Sequence, residues 1–313
     1  MTDAKALVTG ATGLIGRHLI PRLREPRVLA RDPAEASKQL GVKDAITWNA
    51  EQAIPTSALD GVDVVFHLAG ETIAGGRLTV AKKQRIRDSR VVGTRNMVAA
   101  IRQAPRRPRV LVCASAIGFY GSRGDEELNE ESAAGTGFLA DLCRDWEKEA
   151  LEACALGVRV VCARTGIVLA REGGALTSMR PAFRLGLGGP LGSGEQWMSC
   201  IHVDDVVGLL LHAAERAEVL GPLNVCAPHP SRNSAFTRAL GRAMHRPAWV
   251  RAPAVALRLA LGEMADFVLA SQRVFPAKAV ATGHVFRFAT LEEALQDLLG
   301  SGGAAVHPAK AHS

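Results

Sequence analysis

Gly10, Gly13 and Gly16 recur at three-residue intervals in the stretch VTGATGLIG. Glycine permits a tight turn, a close approach of backbone to phosphate and close packing of a helix on a strand. A helix that starts there also offers unpaired N–H groups and the positive end of its dipole. A short apolar run, KALVTG, precedes the triplet, and a helical pattern follows it. In that strand–turn–helix context Gly10, Thr12, Gly13, Leu14, Ile15 and Gly16 point to a bound dinucleotide rather than a plain turn. The second strand ends in Ala30, Arg31 and Asp32. A guanidinium there suits the 2′-phosphate of NADP(H), whereas a carboxylate suits the ribose hydroxyls of NAD(H). Arg31 comes first, so NADP(H) is the expected cofactor and NAD(H), selected by Asp32, the alternative.

The single tyrosine, Tyr120, lies in CASAIGFYGSRGDEE. A tyrosine hydroxyl can trade a proton with a substrate oxygen when a nearby lysine lowers its pKa. Four residues on stands Gly124, so the chain contains no Tyr-x-x-x-Lys pair. Tyr120 sits at the carboxyl end of a strand, where open α/β sheets place ligands, and is a candidate proton donor or a packing residue under the ligand. Ser115 is a candidate partner for a substrate carbonyl, although buried strand serines more often bond to backbone. Glu71, just after HLAG, is a candidate on the substrate side or an acid near helix-entry N–H groups. Arg164 suits an anionic substrate or an internal carboxylate. His202, Asp204 and Asp205 are too local for a three-ligand metal site, and no metal is expected. Asp145 and Glu147 lie about 200° apart on a helix, which argues against an acid–base pair. No G-x-S-x-G elbow is present, which argues against a hydrolase.

Positioning these groups requires a sheet. Short apolar segments read as parallel strands: KALVTG, RVLAR, AITW, DVVFHLAG, RVLVCASA and VRVVCARTGIVLA. Helices are predicted over roughly Leu14 to Leu23, over Val80 to Arg102, and over a stretch from Phe138 closed by Gly157. Alternating strands and helices predict an α/β, doubly wound parallel sheet of Rossmann type. The expected organisation is a dinucleotide-binding domain over 1–165, to which 200–228 returns. A smaller, mostly helical substrate-side lobe spans 166–199 and 229–299, and a disordered tail spans 300–313.

The 313 residues carry a formal charge of +7, mostly from scattered arginines. No basic block or aromatic-interleaved stripe suggests nucleic acid. The cysteines have no metal or C-x-x-C spacing, no leader pattern opens the chain, and no apolar run is long enough to span a bilayer. These features predict a cytoplasmic protein with a small-molecule substrate, no membrane and no nucleic-acid partner.

GATGLIG, DVVFHLAG and ASAIGFYG resemble the extended short-chain dehydrogenase/reductases. HLAGETI, DSRVVGT, FLADLCRDWE, RTGIVLAREGGAL, RLGLGGPLGSGEQWMSCIHVDD and SQRVFPAKAVATGHVFRF resemble, more narrowly, its atypical "epimerase family protein" group. That group is NAD-dependent epimerase/dehydratase-like and carries a C-terminal domain of unknown function. The resemblance implies an NADP-binding fold. Ala30 and Arg31 match a Ser-Arg pair at the adenosine phosphate. Leu68 and Ala69, with Gly70 after them, match a cofactor-lining strand end. Arg90 matches the arginine of an SR motif, and Thr165 a small residue beside the nicotinamide half. The chain departs from the pattern where the usual Ser–Tyr–Lys machinery belongs: Ala116 takes the serine slot, with Ser115 adjacent, and Phe138 and Leu142 take the Tyr and Lys slots. The span from Gly16 to Arg31 is about four residues short of a usual crossover, with Pro21 in its helix. Two functions remain open. One is an NADP(H)-dependent oxidoreductase or epimerase-like enzyme on a small carbonyl, alcohol or sugar-nucleotide, favoured by the loop GLGGPLGSGEQW. The other is a non-catalytic NADP(H)-binding sensor or interaction protein, favoured by the missing pair.

Overall fold

The computed structural model describes residues 4–73 and 76–300. The tail expected from residue 300 onward lies, apart from Gly300, outside the described residues. Strand β1 (Ala6–Thr9) is wholly buried and runs into the glycine turn. Helix α1 (Leu14–Leu19) is shorter than the pattern predicts, because Pro21 converts Ile20–Arg22 to a 3-10 turn. This shortening accommodates the brief crossover, and Glu25 completes it with a φ of 44°. Strand β2 (Arg27–Ala30) follows, then α2 (Pro33–Leu40), β3 (Asp44–Thr47), β4 (Val64–His67), α3 (Val80–Gln103) and β5 (Val110–Ala116). A short β6 (Glu127–Leu128) precedes α4 (Phe138–Leu151), whose 3-10 extension ends at Gly157 with a φ of 78°.

The sixth strand and its exit are two separate strands. Strand β7 (Arg159–Thr165) stays in the main sheet, and β8 (Ile167–Leu169) leaves it. The break is at Gly166, where a Cβ would lie 2.3 Å from the Ser199 carbonyl oxygen. Helix α5 (Gly174–Arg184), β9 (Trp197–Met198), β10 (Cys200–His202) and α6 (Val203–Glu215) come next. Strand β11 (Gly221–Val225) returns to the main sheet, giving seven parallel strands in the order β11-β7-β5-β4-β1-β2-β3. One face packs on α1 and α6 through Leu19, Val206 and Leu210, the other on α3 and α4 through Met97, Ile101 and Trp146. This is the doubly wound, two-faced parallel sheet expected from the alternation of elements.

The remaining elements are β12 (Ser231–Arg232), α7 (Asn233–Met244), α8 (Ala254–Leu261), α9 (Met264–Leu269), β13 (Arg273–Val274), α10 (Ala277–Ala281) and α11 (Leu291–Leu299). Three two-stranded pairs, β8–β10, β9–β12 and β6–β13, stitch this region to the main sheet. A separate core of Leu176, Phe183, Phe236, Leu240 and Leu295 holds α5, α7 and α11 together. No described helix is long and apolar enough to cross a membrane.

Candidate functional site

Two cavities open at the carboxyl ends of the central strands. The first, of about 750 Å³, is lined by Gly10, Thr12, Gly13, Ala30, Arg31, Leu68, Ala69, Gly70 and Glu71, among others. Gly10 has a φ of +69°, and a Cβ there would sit 2.7 Å from the Leu68 carbonyl carbon. A Cβ on Gly16 would stand 2.4 Å from the Gly10 oxygen. The turn therefore tolerates no side chain at either position. Gly13 begins α1 without a side-chain cap, so its first-turn N–H groups have no partner within the helix. At the far end of the cleft Asp32 is committed to capping α2, its Oδ1 accepting from the Glu35 N–H at 2.9 Å. Arg31 is exposed and, among the described residues, its side chain has no hydrogen bond or ion pair.

Residues behind this wall hold it in shape. Thr9 Oγ1 accepts from the Leu68 and Ala69 N–H groups, each at 3.1 Å. That leaves its hydroxyl proton for His67 Nδ1 at 2.9 Å. His67 is fully buried, and burial pushes its pKa down to about 4. Arg90 is buried with its guanidinium against Gly70, and Nη1 donates to the Glu71 carbonyl at 2.9 Å. It clamps the end of the HLAG segment, and it does not line the cleft. Ile15 packs on the core and Leu14 lies against Gly173 and Gly174, so both support the turn from behind.

The second cavity, of about 520 Å³, lies between the ends of β5 and β7 and the α5–α9 region. Thr165, Gly118, Thr136, Phe138, Met198 and Phe267 are on its wall. Phe138, in the slot of the missing tyrosine, thus faces the cavity, while Leu142 is buried in a core cluster. Neither Ser115, Tyr120, Arg164 nor Glu71 lines this cavity.

The expected roles of those four residues need correction. Parallel register places Ser115 beside Arg164 and Arg164 beside Asn224, on β5, β7 and β11. Side chains so paired share a face, and here the face is covered by α4. Arg164 makes a two-pronged ion pair with Glu147, Nε to Oε1 at 2.9 Å and Nη2 to Oε2 at 2.8 Å. Ser115 donates to Glu147 Oε1 at 2.6 Å. Tyr120 is fully buried, donates to Asn224 Oδ1 at 2.7 Å and accepts from Arg164 Nη1 at 3.0 Å. Burial pushes its pKa up to about 12, against the opposing pull of Arg164. The hydroxyl has no access to a substrate and both its bonding roles are filled. Tyr120 and Ser115 are therefore part of an internal network, and Arg164 binds an internal carboxylate rather than a substrate. Glu71 belongs to the wall of the first cavity, not the second.

Nothing in the sequence marks Asn224 or Glu130. Glu130 Oε1 accepts from the Asn224 N–H at 3.0 Å, closing the network. Glu147 has a readable signal for burial, since it shares a helical stripe with the buried Cys143 and Ala150. Asp145 lies on another face, half-buried and paired with Arg87. The IHVDD segment is structural: His202 caps α6, and the Asp205 carboxylate accepts from the N–H groups of Arg287 and Phe288. Among the described residues no cluster of His, Cys, Asp or Glu could hold a metal ion.

Residues 6–226 match the model of the NAD dependent epimerase/dehydratase family, and residues 252–298 match a domain of unknown function, DUF1731. The chain is 40% identical over 299 residues to "Epimerase family protein ML0860" of Mycobacterium leprae, covering 93% of this chain and 94% of that protein. It is 40% identical over 300 residues to "Epimerase family protein SDR39U1 homolog, chloroplastic" of Arabidopsis thaliana, covering 93% and 86%. Among solved structures, human epimerase family protein SDR39U1 (isoform 2) with NADPH superposes with a TM-score of 0.84 at 31% identity, covering 95% of this chain and 99% of that one.

Proposed function

The chain belongs to the NAD dependent epimerase/dehydratase family, and from that premise we propose that it is an NADP(H)-dependent oxidoreductase acting on a small carbonyl or alcohol. One observation carries the cofactor preference: Arg31 stands free at the cleft while Asp32 is tied to the start of α2. A free guanidinium offers a 2′-phosphate a charge-assisted fork, and a carboxylate already accepting a bond is less available to a ribose. The human relative solved with NADPH supports the same preference. The residues present fit the group. Gly10, Thr12 and Gly13 line the first cavity, which has room for a pyrophosphate, and the first turn of α1 offers it N–H donors.

When bound, the nicotinamide supplies or accepts a hydride. The chain's own residues orient the other reactant. Thr136 is exposed at the second cavity, and no hydrogen bond engages its hydroxyl among the described residues. It can donate to a carbonyl oxygen and hold it in place. The proton gained by a reduced carbonyl oxygen comes ultimately from solvent water, directly or relayed through that hydroxyl. A second reading, a non-catalytic NADP(H)-binding protein, draws on the same wall, which carries no Tyr, Lys or His.

Calorimetric titration with NADPH and NADH, on the wild type and Arg31→Ala, tests the cofactor. Loss of a charged hydrogen bond worth about 1.5–3 kcal/mol lowers NADPH affinity roughly 10- to 150-fold and leaves NADH unchanged. Equal affinity of the wild type for both nucleotides sinks the assignment. Steady NADPH consumption with a carbonyl acceptor separates the enzyme from the binding protein.

A further inference from the structure

We infer that the second cavity accepts an uncharged, largely apolar, ring-bearing substrate and rejects sugar nucleotides and other phosphate esters. This rests on the reading of that cavity as the substrate site. Its volume, about 520 Å³, lies within the range of pockets that enclose drug-sized molecules. Its wall contains no Arg, Lys or His. A buried phosphate needs cationic or multiple N–H partners, and without them its desolvation is prohibitive.

Four cations beside the cavity are already committed. Arg232 and Arg273 stack on Trp197, at 4.3 Å and 4.6 Å from its ring centroid. They pair with Asp125 and Glu127, each at 2.9 Å. Lys83 pairs with Glu263, and Arg258 with Asp266 at 3.8 Å. Glu263 and Asp266 are the charged residues on the wall itself, and both are acidic. An incoming anion would have to break one of these pairs and approach like charge. The wall thus offers no uncompensated positive charge to the substrate class that a diphosphate linker would bring.

The rest of the wall has a positive preference. Phe138 and Phe267 offer aromatic rings, and Met179 and Met198 offer polarisable thioethers that adapt to a flat ring. Polar groups are few. Gln272 is on the wall, but its Nε2 is spent on the carbonyls of Ile117 and Gly121, at 2.8 Å and 3.0 Å. Ser199 is fully buried with its hydroxyl donated to backbone carbonyls of Gln272 and Val274. Thr136 and Ser122 remain as exposed hydroxyls. Such a wall can orient one carbonyl or hydroxyl on an otherwise apolar molecule, its two carboxylates being held in ion pairs with Lys83 and Arg258.

The test uses two probes on the full chain: Nile red, an uncharged aromatic dye read by fluorescence, and UDP-glucose as competitor. The two cavities share no lining residue, so affinity for 2′,5′-ADP, the adenosine-phosphate part of the cofactor that the first cavity would hold, serves as the folding control for every variant. The expected result is saturable Nile red binding that millimolar UDP-glucose does not displace. Met179→Trp and Ala175→Phe, each filling the cavity from α5, should weaken it about tenfold, equivalent to about 1.4 kcal/mol, with 2′,5′-ADP affinity retained. Displacement of the dye by UDP-glucose overturns the inference. So does dye binding that neither variant weakens, or no saturable binding at all. Because dye binding is read without nucleotide, failure of the NADP(H) assignment shows in the NADPH titration alone.

Discussion

Replacing Tyr120 by phenylalanine separates a catalytic from a structural tyrosine. The ring is fully buried and its hydroxyl bonds to Asn224 Oδ1 at 2.7 Å and Arg164 Nη1 at 3.0 Å. Removing it leaves a buried amide oxygen and one guanidinium N–H short of a partner, at a cost of about 1–3 kcal/mol. Arg164 Nη1 keeps only a long contact, 3.4 Å, to the Glu130 carbonyl. Unfolding entropy scales at about 2.1 cal/mol/K per residue, so each kcal/mol moves the midpoint of a chain this size by about 1.5 °C. Tyr120→Phe should therefore melt roughly 2–5 °C lower, with NADPH affinity and any NADPH-dependent turnover within about twofold of wild type. Thermal denaturation followed by circular dichroism, with calorimetry on the same preparation, reads both quantities. An unchanged melting temperature with turnover reduced a hundredfold or so, the usual scale of a lost acid, would refute the structural assignment.

Three further outcomes follow from the same geometry. Glu147→Ala strands the buried Arg164 guanidinium and should cost about 3–5 kcal/mol, read as a lower urea midpoint, whereas Asp145→Ala, which removes a partly exposed carboxylate, should be nearly silent. Asp32→Ala removes the cap of α2, with a loss of about 1 kcal/mol in the urea midpoint and no gain or loss of NADPH preference if Arg31 alone reads the phosphate. His67 is neutral in the fold, with a pKa near 4 against 6.5 for the free side chain. The unfolded chain therefore binds the extra proton first, and this contribution is whole above pH 6.5 and lost as pH falls toward 4. It amounts to about 2 kcal/mol between about pH 7 and pH 5. Burial lowers His202, His212 and His284 in the same sense, so the measurement is the difference in urea midpoints between wild type and His67→Gln at the two pH values.

The parts legible in the sequence are those whose chemistry is local. The glycine turn needs nothing beyond nine consecutive residues, and each apolar run ending in glycine marks a buried strand. Arg31 and Asp32 are adjacent, so their competition for a ribose can be posed from the sequence; only the structure shows Asp32 engaged at α2. The exit from the sheet after Thr165 is legible at Gly166, but the reason for it is the Ser199 carbonyl, distant in sequence. Tyr120 misleads for a similar reason. Its position at a strand end suggests a ligand, yet its hydroxyl meets Asn224, which β11 brings back to the sheet from 104 residues away. Glu147 enters the sequence reading only as half of a carboxylate pair, although its helical stripe faces the sheet.

The buried network explains how a chain without the tyrosine–lysine pair keeps a well-formed second cavity. A buried arginine near the end of a parallel strand is tolerable only if a carboxylate meets it squarely, and Glu147 on α4 does so with both oxygens. Ser115, Tyr120 and Asn224 then tie β5, the turn after it and β11 to that pair. The residues that follow directly, Ile117 after β5 and Thr165 at the end of β7, face the cavity. The polar row thus sits just behind the wall and sets its position, while the cofactor cleft depends on a different set, Thr9, His67 and Arg90. Damage to the row should therefore loosen the second cavity before it disturbs nucleotide binding. Glu147→Gln, which keeps the shape and removes the charge, is the variant in which dye affinity should fall while NADPH affinity holds.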